Sequence, residues 1–152
     1  MSRRTLIGDL ERERHRLTTQ LDQDLEQLEQ LNSERIVPLS SAKTLDYKEL
    51  AQASAEIKAR ATRIKFYSPV ALVDRTGEKI RYEGESDQLG RMLPLLSQTI
   101  KSFVGNPVFR ISAPNDDSLR SAAAHDLEGI IKLSDAINKI AKRLSKTLVA
   151  SR

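Results

Sequence analysis

The chain contains no cysteine and no tryptophan, and only three phenylalanines and three tyrosines. Without thiols there is no disulfide framework, no thiolate metal site and no cysteine nucleophile, and a reducing compartment, the cytoplasm, is the natural expectation. With so few rings, a core has to be assembled from Leu, Ile, Val and Ala, which suits helix-on-helix packing better than a sheet sandwich. No apolar run approaches the ~18 residues of a membrane span. Met1-Ser2-Arg3-Arg4 is not followed by the apolar stretch of a secretory signal, so no membrane partner is expected. Gly77, Gly84 and Gly90 lie too far apart to cradle a pyrophosphate, and there is no Gly-x-Ser-x-Gly elbow. These absences point away from an enzyme and imply no cofactor.

What remains is a chain of 152 residues, 39% hydrophobic and 30% charged, with a net charge of +4. That length fits one domain, or one domain and an arm. From Thr5 to about Arg35, Leu6, Leu10, Leu17, Leu21, Leu25, Leu28 and Leu31 recur at helical steps among Glu, Asp, Gln and Arg. A strict heptad from Leu10 would set Arg14 and Asp24 on the seam, so a generic amphipathic helix is expected. Its narrow stripe needs a partner, within the chain or from a second copy. Pro38 and the serines after it should end this helix. A second helix is expected from about Leu45 to Ile64, with Leu50, Ala53, Ile57, Ala61 and Ile64 on its apolar face. It should form a hairpin with the first.

The period then changes. Val70 to Val73, the turn Asp74-Arg75-Thr76-Gly77-Glu78, and Lys79 to Tyr82 read as a β-hairpin over about residues 70–82, with Val108 to Ile111 as a candidate third strand. A buried helix should begin near Pro94 and end at Gly105-Asn106-Pro107. From about Asp117 to Leu148, the sequence reads as a long helix in which Ile130, Leu133, Ile137, Ile140 and Leu144 alternate at steps of three and four, a coiled-coil seam. The expected fold is therefore mainly α: a helical hairpin (5–64), a small β-hairpin with a buried helix (68–112) and a long coiled-coil-like C-terminal helix (117–149), together one domain.

Chemistry-bearing residues are sparse. His15 lies in the cationic run Arg12-Glu13-Arg14-His15-Arg16, which repels a metal ion. Arg120 and His125 have a spacing that resembles the Arg-x4-6-His motif of HEPN-type ribonucleases, small helical dimers in which the two residues converge on RNA. The resemblance covers six residues and the general helical character. On a continuous helix, residues five apart point about 140° away from each other, so convergence requires a break between them. The acidic groups Glu83, Glu85 and Asp87, and Asn115, Asp116 and Asp117, precede expected helices and read as caps and dipole partners rather than cation ligands.

Basic residues cluster at Arg3 to Arg16, at Lys58, Arg60, Arg63 and Lys65, and in the C-terminal tail. They solvate the helices and fix their pairing, or else contact phosphates, with Lys58, Arg60, Arg63 and Lys65 as the candidate contacts for a nucleic-acid partner. The reading the sequence favours is a non-enzymatic, homo-oligomeric helical adaptor or scaffold that also binds a protein partner. Ile130, Leu133, Ile137, Ile140 and Leu144 are its expected oligomer interface, and Leu10, Leu17, Leu21 and Leu28 its helix-packing residues.

Overall fold

The computed structural model describes residues 3–76, 80, 82, 88–110 and 116–150, and the regular structure among them is entirely helical. Helix α1 (Arg3–Leu31) runs into a π-helical turn, Asn32–Ile36, and continues as the short α2 (Val37–Ser41). The helix expected to stop at Pro38 thus goes on past it. The π turn is the reason. It widens the backbone so that the Val37 N–H reaches the Asn32 carbonyl, and it sets Pro38 in the first turn of α2, where a missing N–H costs least.

Helix α3 (Tyr47–Tyr67) starts at Asp46, whose carboxylate accepts the Glu49 N–H at 3.1 Å. Helix α4 (Leu89–Val104) begins earlier than expected and carries Pro94 inside it. Pro94 and Gly90, four residues before it, are both exposed, so water can serve the carbonyl that Pro94 leaves without a donor. Asn106 then accepts the Val108 N–H at 2.9 Å and donates to the Leu119 carbonyl at 3.0 Å, fixing a single 3-10 turn, Pro107–Phe109. Phe109 meets buried Phe103 edge-on, with centroids 5.2 Å apart. Helix α5 (Asp117–Ala150) is capped by Asp116, which accepts the Leu119 N–H at 3.1 Å.

Cross-links between helices give their directions. Arg35, just past α1, pairs with Glu49 and Glu56 early in α3, while Asp24 pairs with Arg60 and Arg63 late in it. These two helices are antiparallel. Lys58 with Asp135 and Lys65 with Glu128 run α3 against α5 the same way. Ser102 with Asp126, and Asn106 with Leu119, do so for α4 and α5. Helix α4 also packs on α1, closing an antiparallel four-helix bundle around one core. That core is aliphatic: Leu28, Ile36, Leu50, Ile57, Ile64, Leu93, Leu96, Ile100 and Ile130 are wholly buried around the lone buried ring of Phe103.

In such a bundle α3 and α4 point the same way. Residues 70–75, where the expected β-hairpin would begin, form no strand and run on past the end of α3 along α5, toward the N-terminus of α5. Ser121 accepts the Arg75 N–H at 3.0 Å, and His125 Nδ1 lies 2.9 Å from an Asp74 carboxylate oxygen. Val70 and Leu72 are half-buried while Ala71 and Val73 are exposed, and no strand pairs with this segment among the described residues. Gly77 and the rest of the expected turn, except Ile80 and Tyr82, lie outside the described residues. The candidate third strand is the 3-10 turn at Val108 and Phe109, and Ile111 is likewise outside.

Candidate functional site

The cross-links also locate a projecting part of α1 among the described residues. Asp24 meets Arg63 and Tyr67 in the last turns of α3, so α1 residues before about Gln20 extend past the end of that helix. At 1.5 Å per residue this projecting half is about 25 Å long. Its apolar stripe is bare: Leu6 is 53% exposed, Ile7 55% and Leu10 63%. The burial of α1 begins at Leu21, Asp24, Leu25 and Leu28. The four expected packing residues are therefore split: Leu21 and Leu28 are in the core, Leu17 is half-buried, and Leu10 packs against nothing among the described residues. Among the described residues the projecting turns are tied to themselves, by Arg12–Asp9 at 3.9 Å, Arg16–Glu13 at 2.5 Å and Thr18 Oγ1 donating to the Arg14 carbonyl at 2.9 Å. Exposed pairs of this kind contribute a few tenths of a kcal/mol. They hold a helix already nucleated by the bundle but leave its stripe in water.

The α5 seam has the opposite fate. Ile130, Leu133 and Ile137 are wholly buried, Ile140 is 2% exposed and Leu144 half-buried, all within the core that α5 shares with α3 and α4. The stripe expected to be the oligomer interface is thus satisfied inside the chain. Three-four spacing suits an intramolecular bundle as well as a coiled coil.

The candidate phosphate contacts are also engaged within the chain. Lys58 pairs with Asp135 at 2.7 Å and Lys65 with Glu128 at 2.5 Å. Arg60 (3.4 Å) and Arg63 both pair with Asp24. That cluster is the main polar feature of the core. Asp24 is 1% exposed and receives hydrogen bonds from Arg63, from the Tyr67 hydroxyl and, at 3.4 Å, from Gln20. Burial pushes its carboxyl up, but these donors and the Arg63 charge outweigh burial and hold it below the ordinary carboxylate range. The same contacts, burial first, push the Tyr67 hydroxyl well above its ordinary range. The signal for this cluster was present in the sequence as an acid, Asp24, on the leucine-rich seam.

Helix α5 is unbroken through Arg120 and His125, so the two stay on different faces. Arg120 pairs with Asp117, and His125 with Asp74 and, at 3.3 Å, Thr76 Oγ1. These bonds pin the segment after α3 to α5. Asp116 is a helix cap, Asp117 pairs with Arg75 and Arg120, and Glu83, Glu85, Asp87 and Asn115 lie outside the described residues. Among the described residues, no group of three or more His, Asp or Glu side chains is arranged to hold a metal ion.

Asp126 provides a test of this packing. Burial beside α4 pushes its carboxyl up, against the opposing pull of Ser102 and His125, so the charged form is disfavoured in the fold. A raised folded pKa lowers stability at any pH above it, and the penalty disappears as pH falls below the ordinary 3.8. Asp126→Asn, which keeps an acceptor for Ser102, is therefore expected to melt higher than the parent at pH 7. The gap should narrow toward pH 4, and a variant less stable at pH 7 would contradict this assignment.

No protein-family model, curated protein or solved structure matches the chain. Among the described residues no helix is long and apolar enough to cross a membrane.

Proposed function

We propose that the protein is a non-enzymatic helical adaptor that self-associates and binds partners through the projecting half of α1. One observation carries this reading: the apolar stripes of α3, α4 and α5 are buried in the chain's own core, whereas Leu6, Ile7 and Leu10 are more than half exposed on a helix that extends past the bundle. Single exposed leucines are ordinary, but three on one face of a projecting helix make a surface that favours cover.

Magnitudes limit what this stripe can do alone. Burying what remains exposed of these three side chains is worth about 3–5 kcal/mol. Association costs about 4–15 kcal/mol in lost freedom of motion. The stripe is therefore an anchor that needs further contacts around it, as expected of an amphipathic helix docking on a complementary face.

Light scattering or sedimentation equilibrium tests the reading. The chain should form a defined oligomer at tens of micromolar, a concentration chosen only as an order of magnitude. Leu10→Glu should shift it toward monomer with unchanged helical content, because the side chain contributes nothing to the core. A parent chain that is strictly monomeric at such concentrations would remove self-association from the proposal.

A further inference from the structure

A buried polar atom is left out of the bundle's own bonding. Asn32 opens the π-helical turn after α1 and is 2% exposed, yet its Oδ1 has no hydrogen-bond partner among the described residues. An unpaired buried amide destabilises a fold, and native chains keep few of them. π turns are also rare and recur at functional sites. Asn32 lines a cavity of about 180 Å³ between the end of α1 and the last turns of α4. Buried Ile100 and Val104 form the inner wall with it, while Glu29, Lys101 and Arg110 stand exposed at the mouth. Among the described residues, these three charged side chains have no ion-pair or hydrogen-bond partner, one another included. An engineered apolar cavity of about 150 Å³ holds benzene, so this one has room for roughly eight non-hydrogen atoms.

We propose that the cavity binds a free α-amino acid with an aliphatic side chain, of the size of valine or leucine. The site lies in the bundle and does not rest on the role of the projecting half of α1 in association. Charge at the mouth selects the class of ligand. A simple anion would bring its charge against Glu29, and a simple amine would face Lys101 and Arg110. A zwitterion satisfies both signs at once. Its carboxylate accepts from Lys101 and Arg110, its ammonium donates to Glu29 and to Asn32 Oδ1, and its aliphatic carbons cover Ile100 and Val104. A carboxamide turns about its last side-chain bond at little cost, so Asn32 can present its acceptor to the ligand. The bound molecule then supplies the partner that the fold does not.

Nuclear magnetic resonance of the full chain, labelled with nitrogen-15 and titrated with L-leucine, tests this assignment. Amide signals around Asn32 and from Ile100 to Gly105 should shift and saturate, with Kd on the order of 1 mM or below. Two probes of the same shape each lack one charge: 4-methylpentanoate has no ammonium and 3-methylbutylamine no carboxylate. Each should bind at least ~10-fold more weakly, since each gives up charge-assisted hydrogen bonds. A variant carrying Lys101→Glu and Arg110→Glu should stay folded, because both side chains are exposed, and should lose leucine binding. Asn32→Leu keeps the shape of the side chain and removes the orphaned amide. It should also lose leucine binding, yet melt about 2–4 °C above the parent. That combination separates a binding residue from a merely structural one. If L-leucine leaves these amides unmoved at ~10 mM, the cavity holds water only and the proposal is wrong. If 4-methylpentanoate binds as tightly as leucine, or Asn32→Leu binds leucine as the parent does, the zwitterion assignment is overturned.

Discussion

Replacing Asp24 with alanine is expected to destabilise the protein by about 2–4 kcal/mol, among the largest effects of any polar substitution in the chain. The carboxylate is 1% exposed and serves Arg60, Arg63 and Tyr67 together. Removing it leaves a half-buried phenol without its acceptor and two guanidinium groups side by side without their counter-charge. The expected loss sits below the largest values for broken buried pairs because Arg63 reaches solvent, with its side chain 51% exposed. Urea unfolding followed by circular dichroism measures it, and a loss under about 1 kcal/mol would mean the cluster is a surface pair in effect.

Two companion measurements separate attraction from the cost of an orphaned charge. A variant carrying Asp24→Leu, Arg63→Met and Tyr67→Phe removes the main donors along with the acceptor. It should recover most of the lost stability, since a buried ion pair and an apolar packing of similar volume are often close in free energy. The pH dependence follows from the lowered carboxyl. A folded pKa below the unfolded value contributes stability that is fully present above the ordinary 3.8 and is lost as pH falls through the folded value. The parent should therefore lose stability below about pH 4, and Asp24→Asn should show a shallower acid limb over the same window.

Ile137→Ala is expected to cost about 2–5 kcal/mol, and the cost should not depend on protein concentration. Ile137 is wholly buried among residues of its own chain, so truncation opens a cavity in the monomer. Leu10→Ala, measured where monomer predominates, should change stability by less than about 0.5 kcal/mol, because the side chain is 63% exposed. The pair of variants separates core from surface. An Ile137→Ala protein with parental stability but a changed association constant would return the α5 seam to the role of interface.

The contrast between these two residues shows how much of the molecule could be read without coordinates. Leu10 and Ile137 lie on stripes of similar helical spacing, though α1 is the more polar helix. Periodicity records that a face will be covered but not by what, since an intramolecular neighbour and a second chain ask for the same side chains. The short apolar run Val70 to Val73 was ambiguous in the same way: it records that a segment will be covered, and here the segment lies against α5. Pro38 and Pro94 misplaced two helix ends because each proline's cost was met by its surroundings, a π turn for Pro38 and solvent for Pro94. Asp24 was visible as an anomaly on its seam, but its arginine and tyrosine partners lie more than thirty positions away, and nothing local points to Arg63 or Tyr67.

The sequence alone determined that the protein is helical, that its core is aliphatic, and that no thiol or phosphate-loop chemistry is built into it. Those properties follow from composition and from period, which act over a few residues. Which stripes meet one another was decided only in the tertiary structure. With α1 and α3 antiparallel and Asp24 held in the last turns of α3, the N-terminal half of α1 runs past the end of α3. The bare stripe at Leu6, Ile7 and Leu10 is a consequence of that geometry: α1 is simply longer than the bundle face available to cover it.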